Sequence, residues 1–554
     1  MCLINDHIVS KILQNGIGSI INMYFCYIAY RLIIGISAII KLFLHEFLNQ
    51  RKVSKKMANK ESKNVVIIGA GVLSTTFGSM IKELEPDWNI KLYERLDRPG
   101  IESSNERNNA GTGHAALCEL NYTVQQPDGS IDIEKAKEIN EQFEISKQFW
   151  GHLVKSGNIS NPRDFINPLP HISFVRGKNN VKFLKNRYEA MRNFPMFDNI
   201  EYTEDIEEMR KWMPLMMTGR TGNEIMAASK IDEGTDVNYG ELTRKMAKSI
   251  EKHPNADVQY NHEVINFNRR KDGTWEVKVK NRNSGDVETV LADYVFIGAG
   301  GGAIPLLQKT GIPESKHLGG FPISGQFLIC TNPDVINEHD VKVYGKEPPG
   351  TPPMTVPHLD TRYIDGERTL LFGPFANIGP KFLRNGSNLD LFKSVKPYNI
   401  TTLLASAVKN LPLIKYSIDQ VLMTKEGCMN HLRTFYPEAR DEDWQLYTAG
   451  KRVQVIKDTK EHGKGFIQFG TEVVNSKDHS VIALLGESPG ASTSVSVALE
   501  VLEKNFAEYE KDWTPKLQKM IPSYGKSLID DVKLMRATRK QTSKDLELNY
   551  YESK

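Results

Sequence analysis

The sequence predicts a mixed α/β fold: a parallel sheet wound from segments far apart in the chain, with a second domain built on a mixed sheet. Three observations carry this expectation. The stretch "NVVIIGAGVLSTTFG" (Asn64 to Gly78) joins an apolar strand to a helix through Gly69 and Gly71. Two later stretches, "DYVFIGAG" (Asp293 to Gly300) and "SVIALLGESPGASTSVSVALE" (Ser480 to Glu500), again end an apolar strand in glycines. Between them run short segments of alternating polarity, the period of half-buried strands.

The first unit is the most informative. Val65 to Ile68 are four branched apolar residues, the pattern of a strand buried on both faces. After the glycine turn, Val72, Phe77, Met80, Ile81 and Leu84 fall roughly on one helical face, and Pro86 stops the helix. A second strand, "IKLYE", ends in Glu94, 23 positions after Gly71. Glycine makes up about 7% of average composition, so a bare G-x-G pair recurs by chance in a chain this long. The β-α-β context and the placed acid give it meaning. Together they read as a Rossmann-type unit, in which the glycines let the backbone approach a pyrophosphate at the helix N-terminus and Glu94 accepts from ribose hydroxyls. The competing reading is a tight turn in another α/β protein. Ser74 holds the third glycine position of the usual fingerprint, which weakens close helix packing, and Gly78 relieves that.

Further along, Ile131 to Leu153 reads as a helix, and "DFINPLPHISFVRG" (Asp164 to Gly177) as a loop into a strand, because two prolines forbid continued helix. Asp236 to Lys252 reads as a helix. Alternating strands from Ala256 to Ala303 form a meander that returns to the parallel sheet. The Pro-rich stretch from Gly345 to Arg362 reads as a long loop or lid, and the tail from Lys511 to Lys554 as polar and partly helical. Residues 62–125, 236–310 and 445–505 are therefore assigned to a discontinuous dinucleotide-binding domain. Residues 126–235 and 311–444 form the second domain, and 506–554 the tail.

At 554 residues and 40% hydrophobic composition, the chain can bury a large core in two or more domains. A net charge of +3 from 71 basic and 68 acidic side chains gives no global field to draw it onto nucleic acid. Cys2, Cys26, Cys118, Cys330 and Cys428 are scattered and include no C-x-x-C pair. That argues against a disulfide framework or metal site and for a reducing compartment. Ile17 to Leu44 is long enough to span a bilayer but carries Arg31 near its middle, at a cost of about 3 kcal/mol on insertion scales. A signal-peptide cleavage site is lacking. Residues 1–57 are read as an over-extended start, ahead of a membrane anchor or a buried extension, because Met57 stands eight residues before the first strand. Beyond Met57 no amphipathic basic helix stands out. The lysine-rich tail segment (Ser523 to Gln541) reads as a solvated surface helix, with contact to anionic lipid as the alternative.

Six blocks, in this order, resemble FAD-dependent malate:quinone oxidoreductase. They are the first glycine stretch, "NNAGTGHAALCELNY" (Asn108 to Tyr122), "EGTDVNYGELTR" (Glu233 to Arg244), "VPHLDTRYIDGERTLLFGPFA" (Val356 to Ala376), "AGKRVQVIK" (Ala449 to Lys457) and "LLGESPGASTSVSVALE" (Leu484 to Glu500). The resemblance covers about residues 62 to 505. It implies oxidation of (S)-malate to oxaloacetate, with electrons passed through FAD to a membrane quinone. It also implies a peripheral protein on the cytoplasmic face of the bacterial cytoplasmic membrane. The ADP half of FAD would sit on Gly69, Gly71 and Glu94. The pyrimidine end would meet Asn109, Gly111, Thr112 and Gly113, and the turn of Gly486, Ser488, Gly490 and Ala491, where N–H groups at a helix start stabilise negative charge on reduced flavin. Cys118 lies in "AALCEL", which reads as a packed helix, so noncovalent FAD is expected.

Alcohol oxidation needs a group that takes the hydroxyl proton as hydride leaves C2, and cations for two carboxylates. His358 is the first candidate base, because Asp360 and Arg362 share its face if the segment is a strand. A plain loop histidine is the alternative. His114 is the rival base, or else a residue that shapes the flavin pocket. Arg362 and Arg452 are the leading carboxylate clamps and Arg107 a third, since guanidinium binds both oxygens at once. Each could instead be a structural ion pair. Gln326, Lys451 and Gln454 are weaker substrate contacts. Two other functions compete: a soluble flavin oxidase of another 2-hydroxy acid or amino acid, and a flavoprotein whose FAD is structural and whose role is to bind a partner. Oxygen consumption without quinone would favour the first; flavin that no hydroxy acid bleaches would favour the second.

Overall fold

The computed structural model describes residues 62–347, 356–468, 470–486 and 490–552. The readings of residues 1–57, of Ser488 and of the centre of the Pro-rich stretch lie outside the described residues. By contacts the chain divides at Ser62, and the unit from Lys63 to Lys554 is the one described here.

A six-stranded sheet has the order Ala256–Gln259, Asn89–Tyr93, Asn64–Ile68, Tyr294–Ile297, Val481–Gly486, Thr471–Asn475. The first five strands are parallel and the last is antiparallel to its neighbour. The apolar run of the first strand now has its cause: Val65 and Ile67 enter the core on one face, and Val66 and Ile68 the core on the other. On the first face the helix Val72–Leu84 packs with Phe77, Met80, Ile81 and Leu84, and Phe77 stacks on Phe296 at 4.3 Å. Gly78 does supply the close approach: a Cβ there would stand 2.9 Å from Ile250 Cδ1 and 3.2 Å from Ile67 Cδ1. The three strand-to-glycine junctions end on adjacent central strands, so glycines from distant segments gather at one edge.

The second sheet has nine strands, in the order Gly463–Gln468, Trp444–Thr459, Gly319–Cys330, Glu367–Ile378, His358–Ile364, Lys342–Tyr344, His171–Arg176, Met226–Ile231, Glu201–Thr203. Neighbours are antiparallel except Lys342–Tyr344 with His171–Arg176, which are parallel. Two expectations change here. Residues 444–459, expected in the dinucleotide-binding domain, pair along their length with Gly319–Cys330, because the alternating "VQVIK" contributes Val453 and Val455 to the core between the sheets. His358 to Arg362, read as part of a loop, form a fully paired strand near the middle of the mixed sheet.

The helices Glu134–Lys155 and Tyr239–Glu251 lie where periodicity places them, though Asp236 belongs to the short strand Thr235–Val237. The tail is more than a solvated appendage. Trp513, Leu517 and Met520 of the helix Glu510–Met520, and Met535 of Val532–Asp545, enter the main core, and Arg539 bonds Glu144 at 2.9 Å. Residues 115–118 are irregular rather than helical, although Cys118 is fully buried as a small apolar residue.

Candidate functional site

Between the glycine edge of the parallel sheet and the mixed sheet runs a cavity of about 930 Å³. Gly69, Gly71 and Glu94 line one part of it; His114, Lys451, Arg452, Gly486, Gly490 and Ala491 line others. The two glycines of the first turn differ in what they serve. Gly69 has φ +87°, and a Cβ there would stand 2.8 Å from Gly298 O, so the fold itself requires glycine. Gly71 has φ −85° and a Cβ would meet only Ser104 Oγ at 3.5 Å, an ordinary contact. Nothing in the protein demands glycine at 71, whereas a group lying on the backbone at the helix start does.

Glu94 accepts from Ala70 N at 2.8 Å and Leu96 N at 2.9 Å, which rigidifies the turn. Burial raises its carboxyl pKa, and the two N–H donors oppose the rise. Two of its four lone-pair sites remain for hydroxyl donors. A glycine helix start whose first N–H meets Ser104 Oγ at 3.0 Å, a carboxylate with spare acceptors and a cavity of this size fit a dinucleotide.

The loop from Glu106 to His114 is held from behind by a buried charge network. Arg362, 1% exposed, gives Nε to Asp236 Oδ1 at 2.8 Å and Nη1 to the carbonyls of Glu106 and Asn109 at 3.0 and 2.6 Å. Lys342 Nζ lies 3.0 Å from the same Asp236 oxygen, 3.6 Å from Asp360 Oδ2, and donates to Ala110 O at 2.9 Å. Gly111, φ +60°, packs directly on the Arg362 guanidinium, where any Cβ would overlap it. Gly113 leaves no room against Thr235 and Phe143, and its N donates to Thr235 O at 3.1 Å. Asn109 Oδ1 accepts from Gly111 N at 2.9 Å, and Thr112 Oγ1 lies 2.7 Å from Tyr344 OH. At the second turn, Gly486 has φ +78° with Gly470 O against its Cα, and Ala491 packs on the core just before the helix Ser494–Asn505.

Two histidine–carboxylate pairs stand near this loop. His114 Nδ1 is 2.7 Å from Glu119 Oε1; the histidine is 21% exposed and borders the cavity. Burial would raise the Glu119 carboxyl, but the hydrogen bond and charge of His114, with His171, hold it down to about 2. His358 Nδ1 is 2.8 Å from Asp360 Oδ2, and its ring stacks on Tyr344 at 4.5 Å. Burial would raise Asp360 too, and the charges of His358 and Lys342 hold it below the usual carboxylate range. His358, at 4% exposure, does not border the cavity.

The five residues singled out for chemistry therefore part ways. His114 and Arg452 line the cavity, as does Lys451, whose Nζ donates to Ser324 Oγ at 3.0 Å. Gln326 Nε2 faces Thr448 Oγ1 at 3.4 Å, away from the cavity lining. Arg362 is engaged by Asp236 and the loop carbonyls, the ion-pair alternative. Arg107 is exposed and Gln454 buried outside the lining. Asp236, Glu119 and Tyr344 lay inside or beside quoted blocks without standing out, and Lys342, in "HDVKVYGK", carried no local signal at all.

The sequence model of the family described as malate:quinone oxidoreductase matches residues 61–548. The chain belongs to the malate:quinone oxidoreductase family. Among its relatives are a probable malate:quinone oxidoreductase 4 of Staphylococcus epidermidis, 84% identical over 495 residues, covering 89% of this chain and 99% of that one. A probable malate:quinone oxidoreductase 2 of Staphylococcus aureus is 84% identical over 498 residues, covering 90% and 100%. Solved structures share the fold at low identity. An FAD-bound L-α-glycerophosphate oxidase from Mycoplasma pneumoniae superposes with TM-score 0.53 at 14% identity, covering 80% of this chain and 94% of that one. The L-proline dehydrogenase from P. horikoshii gives 0.51 at 14%, covering 81% and 94%. The malate:quinone oxidoreductase chain is thus an enzyme on an FAD oxidoreductase fold, and the α/β architecture expected from three glycine junctions is the one observed.

Proposed function

We propose that the cavity binds FAD along Gly69, Gly71 and Glu94 at one end and the 109–114 loop with Gly486, Gly490 and Ala491 at the other, and that (S)-malate is oxidised to oxaloacetate beside His114. Bound there, FAD supplies a two-electron acceptor that takes hydride from C2 and yields the electrons to quinone. The observation that carries the site reading is the His114–Glu119 pair at the cavity wall. An ionised carboxylate on Nδ1 fixes the ring with Nε2 as proton acceptor and offsets the charge that follows when Nε2 takes the malate hydroxyl proton. Of Arg452 and Lys451, strand neighbours on the cavity wall whose side chains leave opposite faces, one supplies a cation for a malate carboxylate. Arg362 and Lys342 act from behind by pinning the flavin loop. His358 with Asp360 has the same chemistry available but stacks on Tyr344 and does not border the cavity, which favours a supporting role.

Family membership favours malate and quinone over a soluble oxidase, although oxidases share the fold. A membrane quinone as acceptor supports attachment to the cell membrane, and we infer its cytoplasmic face. Three buried free cysteines, Cys118, Cys330 and Cys428, agree with a reducing compartment. Among the described residues no helix is long and apolar enough to cross a membrane.

The test is anaerobic flavin absorbance. Malate should bleach the bound flavin and a soluble quinone should restore it. His114→Asn should slow bleaching by about 10²–10⁴-fold, and His358→Asn much less. Equal slowing by both, with flavin content intact, would move the base to His358; no bleaching by malate would end the assignment.

A further inference from the structure

Two consecutive helices, Ile400–Lys409 and Leu411–Val421, pack on strands of the mixed sheet with their polarity reversed. Their buried side chains are small and polar: Thr402, Ser406 and Ser417. Thr402 Oγ1 donates to Asp458 Oδ2 at 3.0 Å, and Ser417 Oγ to Leu413 O at 2.8 Å. Leu403 packs toward Gly319, but most of the large apolar side chains point out, with Leu404 61%, Val408 70%, Leu411 60% and Leu422 73% exposed. Ile400, Leu404 and Val408 recur at the spacing of one helical face, and Leu411 opens the next helix. Phe392, 65% exposed in the preceding helix Asp390–Ser394, adds to the same segment. Among the described residues, nine of the fifteen exposed large hydrophobics fall within 389–422. A concentration of this kind is uncommon on a monomer with no apolar partner.

The charge around it is predominantly positive. Residues 389–425 carry Lys393, Lys396, Lys409, Lys415 and Lys425 against Asp390 and Asp419. Asp390 is moreover engaged by the N–H groups of Phe382 at 3.2 Å and Ser387 at 3.0 Å. The segment is also continuous with the flavin cavity, since Phe392, Lys393, Val395 and Lys396 border it.

We propose that the face of residues 390–422 docks on an anionic lipid bilayer, with Leu404, Val408, Leu411 and Leu422 among the headgroups, and so presents the flavin cavity to quinone dissolved in the membrane. The inference rests on a membrane quinone as electron acceptor. Exposed apolar side chains on a lysine-rich segment suit an interfacial helix pair on negatively charged lipid. A second copy of the chain fits less well, because a two-fold contact would set lysines against lysines. The sequence concealed this surface: an apolar stripe at helical spacing is normally the buried one, and only the packing of Thr402, Ser406 and Ser417 inward shows that here it is not.

Sedimentation of the full chain with phosphatidylglycerol vesicles, and with phosphatidylcholine vesicles, reads the docking directly and without turnover. The unmodified protein should partition onto the anionic vesicles. The double variant Leu404→Asp/Val408→Asp should lose at least tenfold in partitioning, and the single variant Leu422→Asp, at the most exposed position, should lose several-fold. With malate and a water-soluble quinone the variants should stay within about twofold of the parent, while turnover of a long-chain quinone embedded in vesicles falls with partitioning. Equal sedimentation of parent and variants overturns the proposal. So does a parent that reduces soluble quinone and ignores anionic vesicles, an outcome that leaves the functional reading intact. A parent dimer that the double variant converts to monomer, with neither binding vesicles, assigns the face to a second copy. Failure of the parent to reduce any quinone strikes the functional reading, while sedimentation still decides the surface.

Discussion

Replacing Asp236 by asparagine should cost the protein both stability and flavin. Asp236 Oδ1 lies 3.0 Å from Lys342 Nζ and 2.8 Å from Arg362 Nε, and all three side chains are 1% exposed or less. Asparagine keeps the shape and one acceptor but leaves an uncompensated positive charge in the interior. Breaking a buried pair in this way costs about 3–5 kcal/mol. Lys342 retains Asp360 Oδ2 at 3.6 Å and the Ala110 carbonyl at 2.9 Å, which points to the lower end. For a unit as long as Lys63–Lys554, unfolding entropy amounts to about 1 kcal/mol per degree, so the melting temperature should fall by about 3 °C. Because Arg362 also holds the carbonyls of Glu106 and Asn109, the 106–114 loop should loosen, and the flavin-to-protein absorbance ratio should drop. Thermal unfolding with and without added FAD measures both effects. Adding Lys342→Met removes the excess charge, and the double variant should lose about 1–2 kcal/mol less than the sum of the single losses. A single variant within about 1 °C of the parent at full flavin content, or strictly additive losses, would refute the network as the support of the loop.

Three other outcomes follow from the same geometry. Gly71→Ala should cost no more than about 1 kcal/mol of thermal stability, the preference of an N-cap for glycine over alanine, yet weaken FAD binding at least tenfold in a titration of apoprotein. Gly69→Ala, with φ +87° and Gly298 O only 2.8 Å from the new Cβ, should instead destabilise the fold itself. Similar behaviour of the two variants would contradict the division of labour between the glycines. Burial lowers His171 and His339 from an ordinary value of 6.5 to about 4. Each stays neutral in the folded chain while the unfolded chain takes up a proton, so no penalty exists above about pH 6.5 and one accumulates as pH falls toward 4. Glu119, held at about 2 against an ordinary 4.5, adds a further loss below about pH 4.5. Melting temperature should decline steadily over pH 6.5 to 4, and His339→Gln should flatten the decline; an unchanged slope would refute the assignment. Deleting the base by His114→Asn should lower kcat and leave flavin affinity near that of the parent, as stopped-flow bleaching and FAD titration would show.

Residues near one another in sequence made their own structure legible. The strand, turn, helix and acid of residues 64–94 are bound by backbone geometry, so periodicity and the glycines located them without knowledge of the remainder. The ordered blocks then indicated the cofactor and the reaction. Side-chain commitments were a different matter. His358, Asp360 and Arg362 do share one strand face, but whether that face meets substrate depends on Asp236, Lys342 and Tyr344, which come from elsewhere in the chain. Asp236 takes the Arg362 fork, and His358 stacks on Tyr344 outside the cavity lining. The strand Trp444–Thr459 joined the mixed sheet because the long strand Gly319–Cys330 offered it a complete ladder, a long-range pairing that no local pattern records. Residues 400–422 show the limit most clearly. Their sequence fixes a helical apolar stripe, but the direction it faces was decided by which side could give Thr402 an acceptor at Asp458 and bring Leu403 against Gly319. Local backbone preference is written residue by residue; the face that turns to water or to lipid is settled only when distant segments compete to bury their own surfaces.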